Sequence, residues 1–268
     1  MGAGSTVGDT GLGIIGRKAI VCASSQGLGR ACAEALAEAG CIVVLNGRDR
    51  DRLKRTAEEI RISTDASVIE AAGDISTPSG QDALIGACPD PDILINNNAG
   101  PPPSDFRRLD RTLLLAGIVQ NMITPIELIQ RVIAGMTGRR FGRIVNITSV
   151  SVRMPLPGLD LSAGARACLT AFLAGVAREV APFGVTINNL LPGMFETSRL
   201  TQALEHMAAT EGIDLRELRR KRLSMIPVGR FGDPREFGKI CAFLCGTHAG
   251  YLTGQNILVD GGLHPSAF

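Results

Sequence analysis

Residues 19–34, AIVCASSQGLGRACAE, decide the fold. A short apolar run breaks into a turn of small residues and continues as an alanine-rich segment, which predicts a strand, a phosphate-binding loop and the start of a helix. The first N–H groups of such a helix have no partner within it, and the helix dipole adds positive charge there, so the turn can bind a pyrophosphate. Gly27 and Gly29 let the backbone approach a ligand closely. A Gly-x-Gly pair alone is a weak signal, but its place between a strand and a helix favours a nucleotide site.

The composition indicates one α/β domain. The chain has 268 residues, of which 45% are hydrophobic, and its formal net charge of +2 gives no basic field that would suggest a nucleic acid as partner. No uninterrupted apolar run reaches the roughly 18–20 residues needed to cross a bilayer, and residues 1–13 lack the apolar core of a secretory signal. We therefore expect a cytoplasmic protein with no membrane partner, a flexible segment at residues 1–13 and one domain over residues 14–268.

The seven cysteines do not suggest a disulfide framework. Cys22, Cys32, Cys41 and Cys168 lie in strand or helix patterns where a small buried hydrophobic residue is expected. Cys241 and Cys245 are four residues apart on a predicted helix, but no second Cys/His pair follows at ligand spacing. We predict no metal site.

The strand after the first helix indicates which dinucleotide is bound. A helix over residues 28–39 and a strand over 41–45 complete a βαβ unit. In such units an acidic residue after this strand binds the adenosine ribose, whereas an arginine accommodates a 2′-phosphate. Asn46, Gly47 and Arg48 follow the strand here, so the sequence favours NADP over NAD; the alternative is that Arg48 is a solvated residue at a helix start.

The next elements alternate regularly between helix and strand. The pattern predicts helices over residues 49–62 and 77–87 and strands over 67–71 and 92–96, with Asp74 facing the adenine end. This alternation predicts a doubly wound Rossmann fold: a parallel sheet of about seven strands, helices on both faces, and a ligand at the carboxyl ends of the strands.

Over residues 16–262 the chain resembles a classical short-chain dehydrogenase/reductase of the β-ketoacyl carrier-protein reductase type. The motifs that carry the resemblance are Gly27-Leu28-Gly29, Asp74, Asn98-Ala99-Gly100, Asn121, Ser149, Pro192-Gly193 with Thr197, Thr253-Gly254-Gln255 and Asp260-Gly261-Gly262. The resemblance implies catalytic roles for Asn121 and Ser149. It implies an NADP site formed by Ala23, Ser25, Gln26, Gly27, Leu28, Gly29, Arg48, Asp74, Ile75, Asn98, Ala99, Gly100, Arg166, Pro192, Gly193, Phe195 and Thr197.

Two departures from the family pattern lie in the cofactor loops. The family begins its glycine loop with Thr-Gly, whereas this chain has Cys22-Ala23, and alanine fits there without strain only if its φ is negative. One extra asparagine precedes Asn98, which we interpret as a bulge. Residues 101–103 are three prolines, which predict a stiff entry on the substrate side.

The third departure lies in the catalytic centre. The family carries a tyrosine and, four residues later, a lysine on the helix after the serine strand. The ungapped register places Ser162 and Arg166 at these positions, which we therefore include among the catalytic residues. Tyr251 is the only tyrosine of the chain and belongs to a later motif, so it cannot replace the missing one.

The loss of the tyrosine removes the usual proton donor. An aliphatic hydroxyl is a far weaker acid than a phenol, and an arginine keeps its proton at essentially all pH values. Three donors can replace the phenol: a water held by Ser149, Ser162 and Arg166; Asp160, which could instead be an N-cap; and His206, which could instead be a surface residue.

Residues 195–225 correspond to the family's substrate lid. Its five cationic residues could bind the phosphates of an acyl-CoA or acyl-carrier thioester, or they could form a solvated helix face: Arg216, Arg219, Arg220, Lys221 and Arg222. The predicted helices over residues 109–136 and 162–181 are apolar on more than one face, and the resemblance implies a homodimer or homotetramer through them.

Two functions remain open from the sequence. The first is an NADP-dependent oxidoreductase that acts on a carbonyl or hydroxyl compound and has an atypical proton-delivery site. The second is an NADP-binding protein with little or no redox turnover, which would serve as a sensor, a regulatory subunit or a scaffold. The intact cofactor motifs, Ser149 and Asn121 favour the first.

Overall fold

A computed structural model describes residues 11–266 and contains one parallel seven-stranded sheet in this range. The strand order is β3-β2-β1-β4-β5-β6-β7, as in a doubly wound Rossmann fold. The strands are β1 (Lys18–Val21), β2 (Ile42–Gly47), β3 (Val68–Ala72), β4 (Ile93–Asn96), β5 (Gly142–Ile147), β6 (Val185–Pro192) and β7 (Asn256–Val259). The predicted fold class is confirmed.

Helices cover both faces of this sheet. They are α1 (Gly27–Glu38), α2 (Arg50–Thr64), α3 (Pro78–Ala87), α4 (Arg111–Ile118), α5 (Thr124–Gly138), α6 (Asp160–Val180), α7 (Ser198–Glu211), α8 (Leu215–Leu223) and α9 (Pro234–Cys245). One core contains Leu36, Leu53 and Phe237 from α1, α2 and α9, and the other contains Leu84, Leu128 and Leu169 from α3, α5 and α6. The inner strands are therefore buried on both sides, which explains their continuous apolar runs, whereas the edge strands β3 and β7 are partly exposed.

Successive strands are added to the sheet on one side of β1 up to β3, and on the other side of β1 from β4 onward. Strand β1 pairs with β2 on one side and with β4 on the other. The loops that follow β1 and β4 therefore leave a crevice at the carboxyl edge, which is where doubly wound sheets bind their ligands. The glycine loop and the segment Asn97–Gly100 are these two loops.

An asparagine ladder crosses the other half of the sheet at this edge. Asn96 of β4 donates to Asn146 of β5 (2.9 Å), Asn146 donates to Asn189 of β6 (3.0 Å), and Asn189 donates to Asn256 of β7 (2.8 Å). Each pair is directly in register. Because these amides are buried or half-buried and bonded to one another, they fix the relative register of four strands beside the site.

The helix predicted over residues 109–136 is not a regular α-helix. It begins at Arg111, and a π-helical turn, Val119–Ile123, separates α4 from α5. By length and mean hydropathy alone, the continuous helical segment Arg111–Gly138 could cross a membrane. One third of its most apolar 18-residue stretch is buried inside the protein. However, Leu128 and Val132 of α5 are buried in the sheet core, as in an ordinary core helix.

The cysteine predictions hold at three of the four positions. Cys22, Cys32 and Cys41 are buried, and burial raises the pKa of the Cys22 thiol to about 12. The prediction for Cys168 is wrong, because this residue lies on the outer face of α6 and is exposed, whereas its neighbour Leu169 points into the core.

The predicted flexible segment is only partly within the described residues. Residues 1–10 lie outside them, whereas the carbonyl of Leu12 accepts a hydrogen bond from the N–H of Thr247 (2.8 Å). Ile14 is fully buried. The packed part of the domain thus includes Ile14.

The glycine loop contains a strained alanine. Ala23 has a φ of +44°, so the expectation of a negative φ at this position is wrong. The turn nevertheless forms, because the N–H of Ala23 donates to Asn46 (3.2 Å) and its carbonyl accepts from Asn97 (3.2 Å). These contacts hold a conformation that costs an L-residue roughly 1–2 kcal/mol.

We expect the substitution Ala23→Gly to raise the free energy of unfolding by up to about 1 kcal/mol, because relief of the strain exceeds the extra entropy of glycine in the unfolded chain. Urea denaturation measures the change. The control is Ala31→Gly in α1, where φ is helical and glycine should lower the free energy of unfolding by about 1 kcal/mol. A lower stability of Ala23→Gly would contradict the strain.

Candidate active site

The glycine loop presents backbone donors that lack a side-chain acceptor. Gln26 is the N-cap of α1 and makes no side-chain hydrogen bond to the first turn, whereas Asp49 caps α2 through its carboxylate. A Cβ on Gly29 would lie 2.4 Å from the carbonyl oxygen of Ala23, so only glycine permits this tight turn. The first turn of α1 therefore offers the free N–H groups that a pyrophosphate accepts.

The other loop residues of the predicted set support this turn. The carbonyl of Ser25 accepts from Thr56 of α2 (3.0 Å), and the side chain of Gln26 accepts from Arg52 (2.8 Å). Leu28 packs against the core between the sheet and α1. These contacts fix the loop against α2.

The loops after β2 and β3 contain the residues that the sequence predicts at the adenosine end of the site. Arg48 is exposed, and its guanidinium lies 3.8 Å from the carboxylate of Asp74, which in turn accepts from the N–H of Ser76 (2.9 Å). Ile75 is buried beneath them. A 2′-phosphate would therefore meet an available cation at Arg48.

The loop after β4 connects the cofactor side to the catalytic side. β4 ends at Asn96 and the extra asparagine follows it in an irregular segment, so the expected bulge within the strand is wrong. Asn97 instead reaches back to the glycine loop. Asn98 donates to the Ser76 hydroxyl (3.1 Å) and to the carbonyl of Gln120 in the π-helical turn (3.1 Å). Ala99, the next residue, donates its N–H to the side chain of Asn98 (2.9 Å).

Asn121 lies within the π-helical turn. It is buried, and its side-chain amide donates to the carbonyl of Gly117 (3.2 Å). Because π-helical turns displace the backbone from the regular i−4 ladder, they recur at functional sites. Here the turn leaves the carbonyl of Gln120 free to accept from Asn98.

Ser149 and Ser162 present two hydroxyl groups on the catalytic side. Ser149 follows β5, and its Oγ accepts from the N–H (3.1 Å) and the hydroxyl (2.9 Å) of Ser151. Ser162 lies one turn before Arg166 on α6 and accepts from its guanidinium (2.5 Å). In both serines the oxygen accepts, which leaves the hydroxyl proton for a substrate or a water.

Arg166 is a buried cation. It is 9% exposed, and burial first, then the charge of Arg199, lowers the pKa of its guanidinium to about 10. It therefore remains protonated at neutral pH and cannot relay a proton. A Cβ on Gly100 would lie 3.3 Å from both Arg166 Nη1 and Ser162 Oγ, so the loop after β4 passes directly over this pair.

The segment after β6 begins the lid. The N–H of Gly193 donates to Val259 (2.9 Å), which fixes the turn after Pro192. Phe195 is buried and packs edge-on against Phe237 of α9, with ring centroids 5.3 Å apart. Thr197 is the N-cap of α7, and its methyl group would lie 3.9 Å from a Cβ on Gly27. The lid thus starts beside the glycine loop.

Comparisons with known proteins agree with this arrangement. A family model described as enoyl-(acyl carrier protein) reductase matches residues 22–264. The chain is 32% identical over 251 residues to the NADPH-dependent reductase BacG of Bacillus subtilis (92% of this chain, 97% of BacG). It is 32% identical over 254 residues to 3-oxoacyl-(acyl-carrier-protein) reductase FabG of Vibrio cholerae (93% and 98%).

A solved structure of L-sorbose reductase from Gluconobacter frateurii, complexed with NADPH and L-sorbose, superimposes with a TM-score of 0.89. Its sequence identity is 27%, and the match covers 95% of this chain and 99% of that chain. The chain belongs to the short-chain dehydrogenase/reductase family. It is an NADP-dependent oxidoreductase, as its NADPH-dependent relatives indicate.

Two of the proton donors considered for this short-chain reductase lie on exposed helix surfaces. Asp160 is the first residue of α6 and is exposed; the N-cap is Leu159, so the N-cap interpretation of Asp160 is wrong. His206 is exposed on α7. Ser149 is half-buried and Ser162 is buried, which favours a water at these hydroxyls as the donor.

The lid of the reductase has its own small core. Leu204 and Ala208 of α7 pack against Leu218 of α8. Among the lid cations, Arg216, Arg220 and Lys221 are exposed, whereas Arg219 pairs with Glu196 (3.0 Å).

Sequence analysis missed Arg199 and Asn97. Arg199 is the second residue of α7, and its Nη2 would lie 3.1 Å from a Cβ on Gly100. Nothing in the sequence distinguishes it from the exposed lid arginines. Asn97 was recognised only as an insertion.

We expect NADPH to bind at least about tenfold more tightly than NADH, because a charge-assisted contact from Arg48 to the 2′-phosphate is worth about 1.5–3 kcal/mol. The substitution Arg48→Ala should remove this preference without weakening NADH binding. Cofactor fluorescence titration measures both constants. Lys54→Ala, an exposed cation on α2, is the control for the loss of one charge. Equal constants in the natural protein would overturn this role.

Proposed function

We propose that the protein transfers a hydride between the nicotinamide of NADP(H) and a carbonyl or hydroxyl substrate, in a centre where Ser162 and Arg166 occupy the family's tyrosine and lysine positions. The observation that carries the proposal is the buried hydrogen bond between these two residues beneath Gly100. Tyr251, the only tyrosine, is fully exposed and belongs to a loop before β7.

The cofactor residues proposed above would hold NADP(H), which supplies or accepts the hydride when it is bound. The first turn of α1 would bind the pyrophosphate, and Arg48 the 2′-phosphate. Part of the Arg166 guanidinium would bind the nicotinamide ribose hydroxyls as a fixed cation, and its remaining N–H groups would face the substrate. The fit rests on the uncapped turn at Gln26 and on the space kept open by Gly29.

The proton steps fall to the serines and a water. The hydroxyl of Ser149 would donate to the substrate oxygen, because its own oxygen already accepts two hydrogen bonds. The hydroxyl of Ser162 is polarised by the guanidinium of Arg166. In reduction these donors stabilise negative charge that develops on the oxygen, and a water held between them delivers the proton. Asn121 would support this water from the π-helical turn.

A second candidate function is cofactor binding with little or no turnover, as a sensor, regulatory subunit or scaffold. The replacement of the tyrosine favours it, because loss of a positioned general acid typically costs about 10²–10⁴ in rate. Titration of NADPH by fluorescence, in a chain without tryptophan, and oxidation of NADPH against a carbonyl panel distinguish the two. Binding without oxidation of NADPH would favour the second function.

An acyl thioester is one class of substrate to include in that panel. Arg216, Arg220 and Lys221 are exposed on the lid and could contact the phosphates of a coenzyme A or carrier-protein arm. We further propose a cytoplasmic homodimer or homotetramer. Leu113, Leu115 and Phe172 are exposed apolar residues on α4 and α6, which supports an interface formed by these helices.

We expect the double substitution Ser162→Tyr with Arg166→Lys to raise carbonyl reduction by roughly 10² or more, because it restores a phenol and the compact cation that tunes its pKa. Each single substitution should do less. Initial rates of NADPH oxidation measure the effect. Tyr251→Phe should leave the rate unchanged, since Tyr251 is fully exposed. Normal NADPH binding by the double variant without any reduction would favour the second function.

A further inference from the structure

Two guanidinium groups converge on one point of the catalytic side. A Cβ on Gly100 would lie 3.1 Å from Arg199 Nη2, 3.3 Å from Arg166 Nη1 and 3.3 Å from Ser162 Oγ. Arg166 reaches this point from α6, and Arg199 reaches it from the start of the lid helix α7. Three hydrogen-bond donors from two elements, α6 and α7, therefore surround the same small volume.

Within residues 11–266, neither guanidinium has a carboxylate partner. The only side-chain hydrogen bond of Arg166 in these residues goes to the hydroxyl of Ser162, and the charge that acts on it is the like charge of Arg199. Several surface arginines have such partners, as Arg219 has in Glu196 and Arg230 in Glu236. Arg143, the other buried arginine of the described chain, donates instead to three backbone carbonyl oxygens. Two like charges in a desolvated place raise the free energy of the empty site unless an anion joins them.

The surroundings oppose the positive charge of both groups. Desolvation lowers the pKa of the Arg199 guanidinium and, more strongly, that of Arg166. Arg199 nevertheless keeps more than a third of its surface accessible to solvent, so an incoming molecule can reach it. Pairs of guanidinium groups in such an arrangement bind carboxylate or phosphate through parallel N–H···O bonds.

We propose that Arg166 and Arg199 together bind a carboxylate of the substrate, so that the protein acts on oxo acids or the corresponding hydroxy acids. This inference rests on the proposed function, because it assigns the substrate class to the same centre. The carboxylate would lie beside Ser162, and so next to the reacting carbonyl rather than at the far end of a long chain. A thioester has no free anion at this place.

The chain packs tightly on the far side of Ser162. Its neighbours there come from the three-proline entry and the start of α6, and the space between them is too small for a water molecule: Pro101, Pro102, Ser104, Leu109, Gly158, Leu159 and Leu161. No substrate group fits between them in this conformation, so the two guanidinium groups alone define the substrate class.

The first experiment compares charged and neutral forms of one compound. We measure NADPH oxidation with 2-oxo and 3-oxo acids, with their methyl esters and with acyl thioesters. The natural protein should prefer the acids. Arg199→Gln should lower kcat/KM for the acids by about tenfold to hundredfold, the usual value of a hydrogen bond to a charged group, and should leave the esters within a factor of about two. Arg199→Lys should recover part of the loss, and Arg55→Gln, an exposed arginine on α2, should change nothing.

The second experiment does not need turnover. Calorimetry measures binding of N-phenyloxamate, a non-reducible analogue of a 2-oxo acid, and of its ethyl ester to the NADP(H) complex. The acid should bind and the ester should not. Arg199→Gln should weaken the binding of the acid by about tenfold to hundredfold. If the acid binds in this way while no compound is reduced, the anion site stands and the proposed redox function fails.

Three results would overturn the anion site. The first is an equal response of acid and ester to Arg199→Gln. The second is a fall in the NADPH affinity of Arg199→Gln by the same factor as its loss of kcat/KM for the acids, which would assign Arg199 to the phosphates of the cofactor. The third is a preference for thioesters that Arg216→Gln abolishes, which would place the substrate anion on the exposed lid surface.

Discussion

The backbone at Ala23 lies so close to Gly29 that no side chain fits between them, and the site is built outward from this contact. It holds the loop after β1 in a turn sharp enough to direct the first N–H groups of α1 toward a ligand. The same carbonyl accepts from Asn97, which ties the loop after β4 to the loop after β1. Asn98 then extends the connection to the π-helical turn that contains Asn121. Cofactor and catalytic residues are thus joined by hydrogen bonds of short polar side chains to backbone groups.

Two unusual features meet at this edge of the sheet. Ala23 adopts a left-handed conformation that its partners enforce, and Arg166 is buried without an acid to neutralise it. The other buried arginine of the described chain, Arg143, also lacks a carboxylate but donates to three backbone carbonyls, and Asp65 and Arg140, which also have a positive φ, follow the ends of α2 and α5. Local departures of this kind are typical of functional sites, because the surrounding structure must compensate for their cost.

In the centre that we propose, a serine stands where the family has a phenol, and this changes how the centre handles charge. A tyrosine tuned by a lysine donates a proton directly, whereas Ser162 can only orient a donor or a water. Arg166 supplies a permanent positive charge in a site with little solvent, where an electrostatic contact to a developing oxyanion is stronger than in water. The second cation, Arg199, cannot relay a proton either, because an arginine keeps its proton at neutral pH. Its position beside Gly100 makes it a residue for recognition, which is why we assign it to the substrate.

The sequence by itself determined the order of strands and helices, the glycine loop and the NADP cofactor of the family, because these depend on local periodicity and on spacing along the chain. From the same spacing it predicts that Ser162 and Arg166 stand at the family's tyrosine and lysine positions. It could not determine the φ of Ala23, since the hydrogen bonds that enforce it come from Asn46 and Asn97. Nor could it locate the π-helical turn or the asparagine ladder across four strands. Arg199 resembles every other lid arginine in the sequence, and only the tertiary structure brings it to Gly100 beside Arg166, because its side chain extends from the first turn of α7 to the loop after β4.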